Sequence, residues 1–272
     1  MIFFPTAKIN IGLRITEKRP DGFHNIETIF YPVGLSDALE FVVSDKQNDK
    51  DNLIVTGIDT GSEPENNLII KAILSLRKHS RLPILKIHLH KAIPVGAGLG
   101  GGSSDAACFL KVVNKHLGLN INIQTLKSIA LELGSDCPFF IDCTPSYGTG
   151  RGEILTPVKP AISGYYIILL NPGVGINTGE AYRNCIPAIP SDSLLQLIEL
   201  PIPEWKGLIL NDFEEYAFQK NPIIGELKEA LYKCDALFSL MSGSGSSVYG
   251  IFKEKPILPV RLENFKIWEG KL

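Results

Sequence analysis

The sequence has almost no net charge, few cysteines and no long apolar run, and each of these absences excludes a class of protein. The 27 basic and 29 acidic side chains nearly cancel, so no surface field favours nucleic acid or an anionic membrane. Five cysteines without a CxxC pair predict neither a disulfide framework nor a zinc site. No apolar run approaches the roughly 20 residues of a membrane span. We therefore expect a cytoplasmic protein that binds a small charged metabolite, with no nucleic-acid or membrane partner.

What is present is a mixture of two periodicities. Alternation typical of strands occurs in KINIGLRI and LKIHLHKAI, and GFHNIETIFYPV and ALEFVVSD are rich in the β-branched and aromatic residues of extended segments. Helical spacing occurs in ENNLIIKAILSLRKHS, in SSDAACFLKVVNKHLG, which should end in a left-handed Gly118, and in IQTLKSIALELG, which should end at Gly134. The segment SDCPFFI that follows is expected to form a turn leading into a short apolar strand.

The second half repeats this mixed pattern. We expect strands at YYIILLN and SSVYGIF, a strand followed by a loop at ALFSLMSGSG, a glycine-hinged strand at GTGRGEILTPV, and helices at TGEAYRNC and NPIIGELKEALYK. A connector rich in proline and small residues covers residues 159–164. The sequence therefore predicts an α+β protein with largely antiparallel sheets and two domains, residues 1–158 and 159–272.

The stretch PVGAGLGGGSSDAA, residues 94–107, places a glycine-rich loop between a strand and a helix start. Such a loop can expose backbone N–H groups to an anion, and the helix dipole favours a phosphate there. The dinucleotide pattern fails because no acid ends the next strand, the P-loop pattern fails because no lysine precedes the serines, and the HRD and DFG motifs of protein kinases are missing. The predicted phosphate-binding residues are Pro94, Gly96, Ala97, Gly98, Leu99, Gly100, Gly101, Gly102, Ser103 and Ser104.

Three ordered motifs together resemble the GHMP small-molecule kinases. The glycine loop is similar to the second motif of that family, PTAKINIGL to the first and SLMSGSGSSVYGIF to the third. The resemblance implies ATP as co-substrate, with an N-terminal ribosomal-protein-S5-domain-2-like domain and a C-terminal ferredoxin-like α/β sandwich. It also implies that Ser242–Ser247 support the phosphate loop.

Further segments resemble one branch of this family. RPDGFHNIETIFYPV, LGSDCPFF and RGEILTPV are similar to the kinases that phosphorylate a cytidyl-linked methylerythritol in the non-mevalonate isoprenoid pathway. A homoserine or mevalonate-type kinase, and a non-catalytic nucleotide-binding protein, remain the alternatives. The DGFH segment discriminates among the kinases, because a substrate without a nucleobase needs no aromatic ring beside a histidine.

Two charged residues are the candidate catalytic pair. Asp136 follows the predicted helix end at Gly134, where an aspartate serves either as a general base or as a helix or turn cap. Lys8 lies on a strand of small and apolar residues, an unusual place for an ammonium group unless it has an acidic partner. By the resemblance, Asp136 is the catalytic base and Lys8 its partner. Asn10, two residues further along the strand, is a candidate neighbour in the substrate site.

Further residues are candidates for contact with the two ligands. Phe23 and His24 suit a pyrimidine, and the resemblance assigns them to the cytosine, with Tyr182 on its other face. A core position is the alternative for Phe23. The resemblance also assigns Asn67, Leu68 and Lys91 to the adenine of ATP, although NNLIIKA is equally a good helix start.

The metal ligands stay open in the sequence. The chemistry requires Mg²⁺, and Ser103 and Ser104 are candidate hydroxyl ligands of it or of phosphate. His88 and His90 alternate on a strand without a third ligand at usable spacing, which favours a polar sheet face. Asn211 and Asp212 are expected to form a structural turn. We expect a monomer or weak homodimer.

Overall fold

The structure is a computed structural model that describes residues 1–45, 50–61 and 64–272. It divides into two compact units. Unit 1 comprises Met1–Ala7, Gly34–Val95 and Gly100–Cys143, and unit 2 comprises Lys8–Val33, Gly96–Leu99 and Thr144–Leu272.

Runs of strands and runs of helices follow one another along the chain. The strands are β1 (Ile2–Phe3), β2 (Thr6–Lys18), β3 (His24–Ser36), β4 (Ala38–Val43), β5 (Asn52–Gly57), β6 (Leu85–Lys91), β7 (Ser146–Thr149), β8 (Ile154–Pro157), β9 (Tyr166–Leu170), β10 (Phe238–Met241), β11 (Val248–Phe252) and β12 (Lys266–Lys271). The helices are α1 (Leu68–His79), α2 (Gly101–His116), α3 (Ile123–Leu133), α4 (Cys137–Asp142), α5 (Thr178–Asn184), α6 (Leu194–Leu197), α7 (Glu214–Lys220), α8 (Pro222–Lys233) and α9 (Val260–Glu263). Short 3₁₀ helices cover Pro64–Asn66 and Ile202–Trp205.

Unit 1 packs a helical layer against a four-stranded sheet of order β1-β4-β6-β5. The β4–β6 pair is antiparallel and the β5–β6 pair is parallel. Strand β6 alternates strictly between buried and exposed residues, so Leu85, Ile87, Leu89 and also Lys91 belong to its core-facing side. Helices α1, α2, α3 and α4 contact one another, and their buried apolar residues form the rest of this core.

Unit 2 contains the sheet β10-β11-β9-β12, whose pairings are all antiparallel. The third sheet, β2-β3-β7-β8, also lies mostly in this unit, and its β3–β7 and β7–β8 pairs are antiparallel. Helix α8 packs on β10 and β11. One apolar cluster runs from Leu13 and Ile15 through Ile168 and Leu170 to Leu227.

Most of the predicted elements are confirmed. The α+β class and the largely antiparallel sheets are correct, Gly118 follows α2 with φ +62°, and Gly134 ends α3. The predicted division at residue 158 stays a prediction, since the compact units interleave along the chain instead of meeting at one cut. The five cysteines are free thiols, and no helix among the described residues has the length and apolarity that a membrane crossing requires.

The prediction for SDCPFFI is wrong. Cys137–Asp142 form helix α4, not a turn leading into an apolar strand. Pro138 lies in its first turn, where a missing N–H costs nothing because the first N–H groups of a helix have no internal partner. Cys143 closes the helix with φ +53°. The helix buries Cys137 through Ile141, so continuous apolarity reflects a buried helix.

Candidate active site

The glycine loop and the third motif are in direct contact within unit 2. The Ser242 hydroxyl donates to the Gly98 carbonyl at 2.9 Å, and the Ser247 N–H donates to the Ala97 carbonyl at 3.1 Å. Gly98 has φ +76°, and a Cβ there would lie 1.8 Å from the Ser242 carbonyl oxygen. Only glycine satisfies both the left-handed backbone and this approach. The predicted support of the loop by Ser242–Ser247 is therefore confirmed.

Polar side chains fix the third motif in turn. The Asn211 amide donates to the carbonyls of Met241 and Gly243, both at 2.8 Å, and its oxygen accepts from the Phe213 N–H. The Asn171 amide donates to the Ser247 hydroxyl at 2.9 Å. The structural role predicted for Asn211 is confirmed. The sequence analysis did not identify Asn171 as a residue that supports the third motif. The signal that could have identified it is its position directly after strand β9.

The loop passes into helix α2 at Gly100, which is left-handed with φ +71°. Within the part of the chain that the structure describes, no side chain caps this helix start. The first N–H groups of a helix have no intrahelical acceptor, so their donors point out of the N-terminus. Ser103 is half-buried and Ser104 is buried in this first turn, which leaves Ser103 as the hydroxyl closer to solvent.

Lys8 and Asn10 form a buried polar pair on β2. The Lys8 ammonium group donates to Asn10 Oδ1 at 2.5 Å and lies 5.4 Å from the centre of the Phe30 ring. Lys8 is only 3% exposed, so its ammonium group is shielded from bulk solvent. Asn10 also donates to the Thr28 hydroxyl at 2.8 Å and accepts, through its carbonyl, from Tyr249 at 3.0 Å. The predicted neighbourhood of Lys8 and Asn10 is confirmed.

Asp136 lies in unit 1, immediately before α4 and after the end of α3. It is half-buried, and within the described residues its side chain makes no capping bond to α4, which disfavours the helix-capping alternative. The same turn contacts the start of α2, because α2 and α4 pack on each other and a Cβ at Gly134 would lie 3.9 Å from the Ser103 oxygen. Burial raises the pKa of the Cys137 thiol to about 12, so that sulfur stays protonated.

The three aromatic candidates lie in unit 2. The His24 and Tyr182 rings are stacked, with centroids 4.9 Å apart and planes 19° from parallel. Phe23 is 49% exposed, and the Arg151 guanidinium lies 4.5 Å from its ring centre. The exposure of Phe23 rules out the core alternative. Burial, followed by the nearby Lys18 charge, lowers the pKa of His24, which favours the neutral imidazole with one donor and one acceptor nitrogen.

A network of charged side chains shapes the turn before Phe23. Arg19 pairs with Asp21 at 2.8 Å, and the Phe23 N–H donates to Asp21 Oδ1 at 3.1 Å. The pKa of Asp21 is lowered, first by its hydrogen bond from Arg19. The turn therefore presents Phe23 from a backbone that is already ordered.

The predicted adenine residues occupy mixed positions. Asn67 is the N-cap of α1 and accepts from the Ile69 N–H at 2.9 Å, so the helix-start interpretation is correct. Leu68 lies near the loop, since a Cβ at Gly102 would be 3.9 Å from its Cδ1. The Lys91 ammonium group is buried and donates to both Asp37 and Asp105. Contact of these residues with ATP stays a prediction.

His88 and His90 lie on the exposed side of β6 and share the hydroxyl of Thr56, at 2.8 Å and 3.0 Å. Over the residues that the structure describes, no group of three or more His, Cys, Asp or Glu could hold a metal. The two histidines therefore lie on a polar face of the sheet, as predicted.

Two family models match the chain in the two regions described above. One, for the GHMP kinases N terminal domain, matches residues 67–143, and one for the GHMP kinases C terminal matches residues 196–258. A solved homoserine kinase from Cytophaga hutchinsonii shares this fold, with a TM-score of 0.61 at 18% identity over 92% of this chain and 85% of that chain. Fold and motifs therefore define an ATP-dependent small-molecule kinase of the GHMP class.

Relatives of higher identity narrow the class. The 4-diphosphocytidyl-2-C-methyl-D-erythritol kinase of Parabacteroides distasonis is 49% identical, with all of both chains covered. That of Bacteroides thetaiotaomicron is 49% identical over 95% of this chain and 94% of its own. A crystal structure of 4-(cytidine 5'-diphospho)-2C-methyl-D-erythritol kinase has a TM-score of 0.74 at 30% identity, covering 92% of this chain and 90% of that one. The chain belongs to the family of 4-diphosphocytidyl-2-C-methyl-D-erythritol kinases.

Proposed function

We propose that the protein transfers the γ-phosphoryl group of ATP to the 2-hydroxyl of 4-diphosphocytidyl-2-C-methyl-D-erythritol, in the non-mevalonate route to isoprenoid precursors. The full-length 49% identity to the kinase of that name carries this proposal. The aromatic cluster of Phe23, His24 and Tyr182 supports it against a homoserine or mevalonate-type substrate, which has no nucleobase.

The glycine loop and the start of α2 are proposed to hold the phosphates of ATP. The loop contains left-handed glycines, a backbone conformation that lets N–H groups converge on an anion. The uncapped N-terminus of α2 adds further donors and a favourable dipole. Phosphoryl transfer depends mainly on positioning and on stabilising charge. A backbone cradle supplies both without any ionisable side chain.

Asp136 is proposed as the general base. Its carboxylate accepts the proton of the attacking hydroxyl as the oxygen bonds to the γ-phosphorus and ADP leaves. Lys8 is proposed to stabilise the negative charge that develops on that oxygen, and Asn10 holds the ammonium group in place. The burial of Lys8 in a low-dielectric environment strengthens such an effect.

Mg²⁺ is proposed to arrive with ATP. The described residues offer no cluster of three acidic or histidine ligands, which fits an ion held mainly by nucleotide oxygens, as Mg²⁺ in kinase sites usually is. The ion neutralises phosphate charge when bound. The half-buried hydroxyl of Ser103, in the first turn of α2, is the side chain that we propose as its protein ligand.

Cytosine is proposed to stack on Phe23. The rings of His24 and Tyr182 stack on each other, and Arg151 covers one face of Phe23. A contact of Tyr182 with the base stays a prediction. The other face of Phe23 is the platform that we assign to the base. A neutral His24 then offers one donor or acceptor nitrogen to the polar edge of cytosine.

A substrate panel tests the proposal. ATP turnover is measured with the cytidyl substrate, with the same polyol phosphate lacking cytidine, with homoserine and with mevalonate. Turnover of the cytidyl substrate alone is the expected result. Comparable turnover of homoserine or mevalonate, or none with the cytidyl substrate, contradicts the assignment. A cytoplasmic location and a monomer or weak homodimer stay predictions.

Asp136→Asn tests the base. The amide keeps the shape but cannot accept the proton, so kcat should fall by about 10² or more while the affinity for ATP changes little. Steady-state kinetics with both substrates measures this, with the melting temperature as the folding control. Retention of more than a tenth of the wild-type kcat removes Asp136 from the mechanism.

A further inference from the structure

A buried cluster of one lysine and two aspartates lies in unit 1 beside the glycine loop. Lys91, the last residue of β6, donates to Asp37, which precedes β4, and to Asp105 on α2, the latter at 2.7 Å. The three side chains are at most 3% exposed. Moving three charged groups out of water costs free energy, and their mutual attraction offsets this cost only when the geometry is excellent. A buried ionic cluster is therefore weak evidence that these residues stabilise the fold.

The cluster hydrogen-bonds the chain segment between β6 and the glycine loop. One oxygen of Asp37 accepts the N–H groups of Ala92 and Ile93, at 2.6 Å and 2.8 Å, and the other accepts from Lys91. The two residues that lead from β6 toward Pro94 are therefore held by a single carboxylate. Asp37 is itself attached, because its N–H donates to the Pro5 carbonyl at 3.0 Å.

The cluster also binds the first turns of α2, on the other side of the glycine loop. Asp105 lies one turn after Gly101, and its carboxylate receives the Lys91 ammonium group. Gly101, the first residue of α2, packs onto the same place: a Cβ there would lie 2.9 Å from the Ile93 side chain and 3.2 Å from Lys91 Nζ. The end of β6 and the beginning of α2 are thus joined through one ammonium group.

We infer that Lys91, Asp37 and Asp105 are positioning residues that set the two ends of the phosphate loop relative to each other. The link through Lys91 fixes the residues on either side of the loop, and thereby the direction in which the α2 N–H groups point. Misplacing groups in a phosphoryl-transfer site by even about 1 Å costs up to about 10²-fold in rate. The inference deepens the proposed function and rests on it for the nucleotide that the loop binds.

Asp105 is the member to test, because Asp37 still balances the Lys91 charge when Asp105 is neutral. Asp105→Ala removes the link between β6 and α2, whereas Asp105→Asn keeps an oxygen that accepts from Lys91. We expect the alanine variant to raise the KM for ATP, and the Kd for ATP by calorimetry without second substrate, about tenfold or more. The asparagine variant should stay within about twofold of wild type, and the KM for the cytidyl substrate should not change in either.

The opposite end of β6 provides a matched control. Asp51 accepts the Leu85 N–H at 3.0 Å and pairs with Arg77, so Arg77→Met also breaks an ion pair that holds β6 in the same unit. It should lower the melting temperature and leave the ATP constants unchanged.

Wild-type ATP constants in a folded Asp105→Ala protein overturn the inference. So does an equal rise in the constants for both substrates, or in the Arg77→Met control, because either result reports general damage. Should Asp105→Ala not fold, Asp105→Ser, which occupies more of the space without reaching Lys91, takes its place under the same criteria. Because calorimetry needs no turnover, this outcome is independent of whether the cytidyl substrate is phosphorylated.

Discussion

The glycine loop and the aromatic cluster at the start of β3 are the two regions proposed to contact ligands, and they are built in opposite ways. The loop consists of backbone held by buried groups, such as the fully buried Ser242 at Gly98 and the Lys91 cluster at α2. The aromatic cluster presents side chains, with Phe23 half-exposed and His24 lying on Tyr182. Backbone recognition suits phosphate, which every nucleotide shares, whereas side-chain recognition suits a particular base. The loop should therefore tolerate almost no change, and the aromatic cluster should tolerate graded change.

The largest expected effect is at Gly98. Alanine there meets the Ser242 carbonyl in a left-handed backbone, so strain of about 1 to 2 kcal/mol adds to an overpacking cost of about 1 to 3 kcal/mol. Gly96→Ala is the matched control, because Gly96 has φ +64° but no atom within 4 Å of the added Cβ. Urea unfolding should show Gly98→Ala losing clearly more stability than Gly96→Ala. Equal losses would mean that the third motif does not constrain the loop.

The contribution of Asp105, which supports the loop, to the free energy of unfolding should also depend on pH. Burial, then the neighbouring Asp37 charge, raises the pKa of Asp105 from 3.8 to about 7, against the opposing charge of Lys91. The folded state then holds a proton that the unfolded state has lost between about pH 4 and pH 7. Its stabilisation is complete below pH 4 and is lost as the pH rises through 7, by up to about 1.4 kcal/mol per pH unit.

Asp105→Asn removes this titration. Unfolding free energies measured by urea at pH 5, 6, 7 and 8 should fall less steeply with pH in the asparagine variant than in wild type. Parallel curves for the two proteins would show that Asp105 is ionised throughout this range.

At the aromatic cluster, Phe23→Ala should have a moderate and selective effect. Stacking on an aromatic ring is worth roughly 1 to 3 kcal/mol per base. The contact is present in ground and transition states alike, so the KM for the cytidyl substrate should rise about tenfold or more, with kcat and the KM for ATP nearly unchanged. Equal damage to both substrates would show that Phe23 shapes the fold.

The smallest effect concerns base identity. His24→Ala should reduce the ratio of kcat/KM for the cytidyl substrate over its uridyl analogue by several-fold, because a site loses discrimination when it loses a group that pairs with one base edge. Competition between the two substrates measures the ratio directly. An unchanged ratio would place the reading of cytosine elsewhere.

Local patterns predicted much of this molecule. The alternation of LKIHLHK gives β6 as it is, and the glycines and serines of residues 94–104 locate the strand-to-helix passage. Helix α4 was missed because five consecutive apolar residues carry no periodicity that separates a buried helix from a buried strand. Only tertiary packing on α2 and α3 decides that case.

The Lys91 cluster was missed for a different reason. Lys91 shares the parity of Leu85, Ile87 and Leu89, so the alternation of β6 already pointed its side chain into the core. That signal was available. Its partners were not, because Asp37 and Asp105 lie 54 and 14 residues away and no short-range pattern brings them together.

The contacts that complete the glycine loop also have a temporal consequence. Ser242 reaches Gly98 across 144 positions of the chain, and Asn10 across 232. A protein emerging from the ribosome forms its N-terminal contacts first. Contacts between residues so far apart in the chain form late, because the entropy of closing a long loop must be lost before they can stabilise the fold. The phosphate loop therefore leaves the ribosome long before the serines that support it. A chain cut short before residue 242 would contain every residue of that loop and still lack the serines that pack against it and donate hydrogen bonds to it.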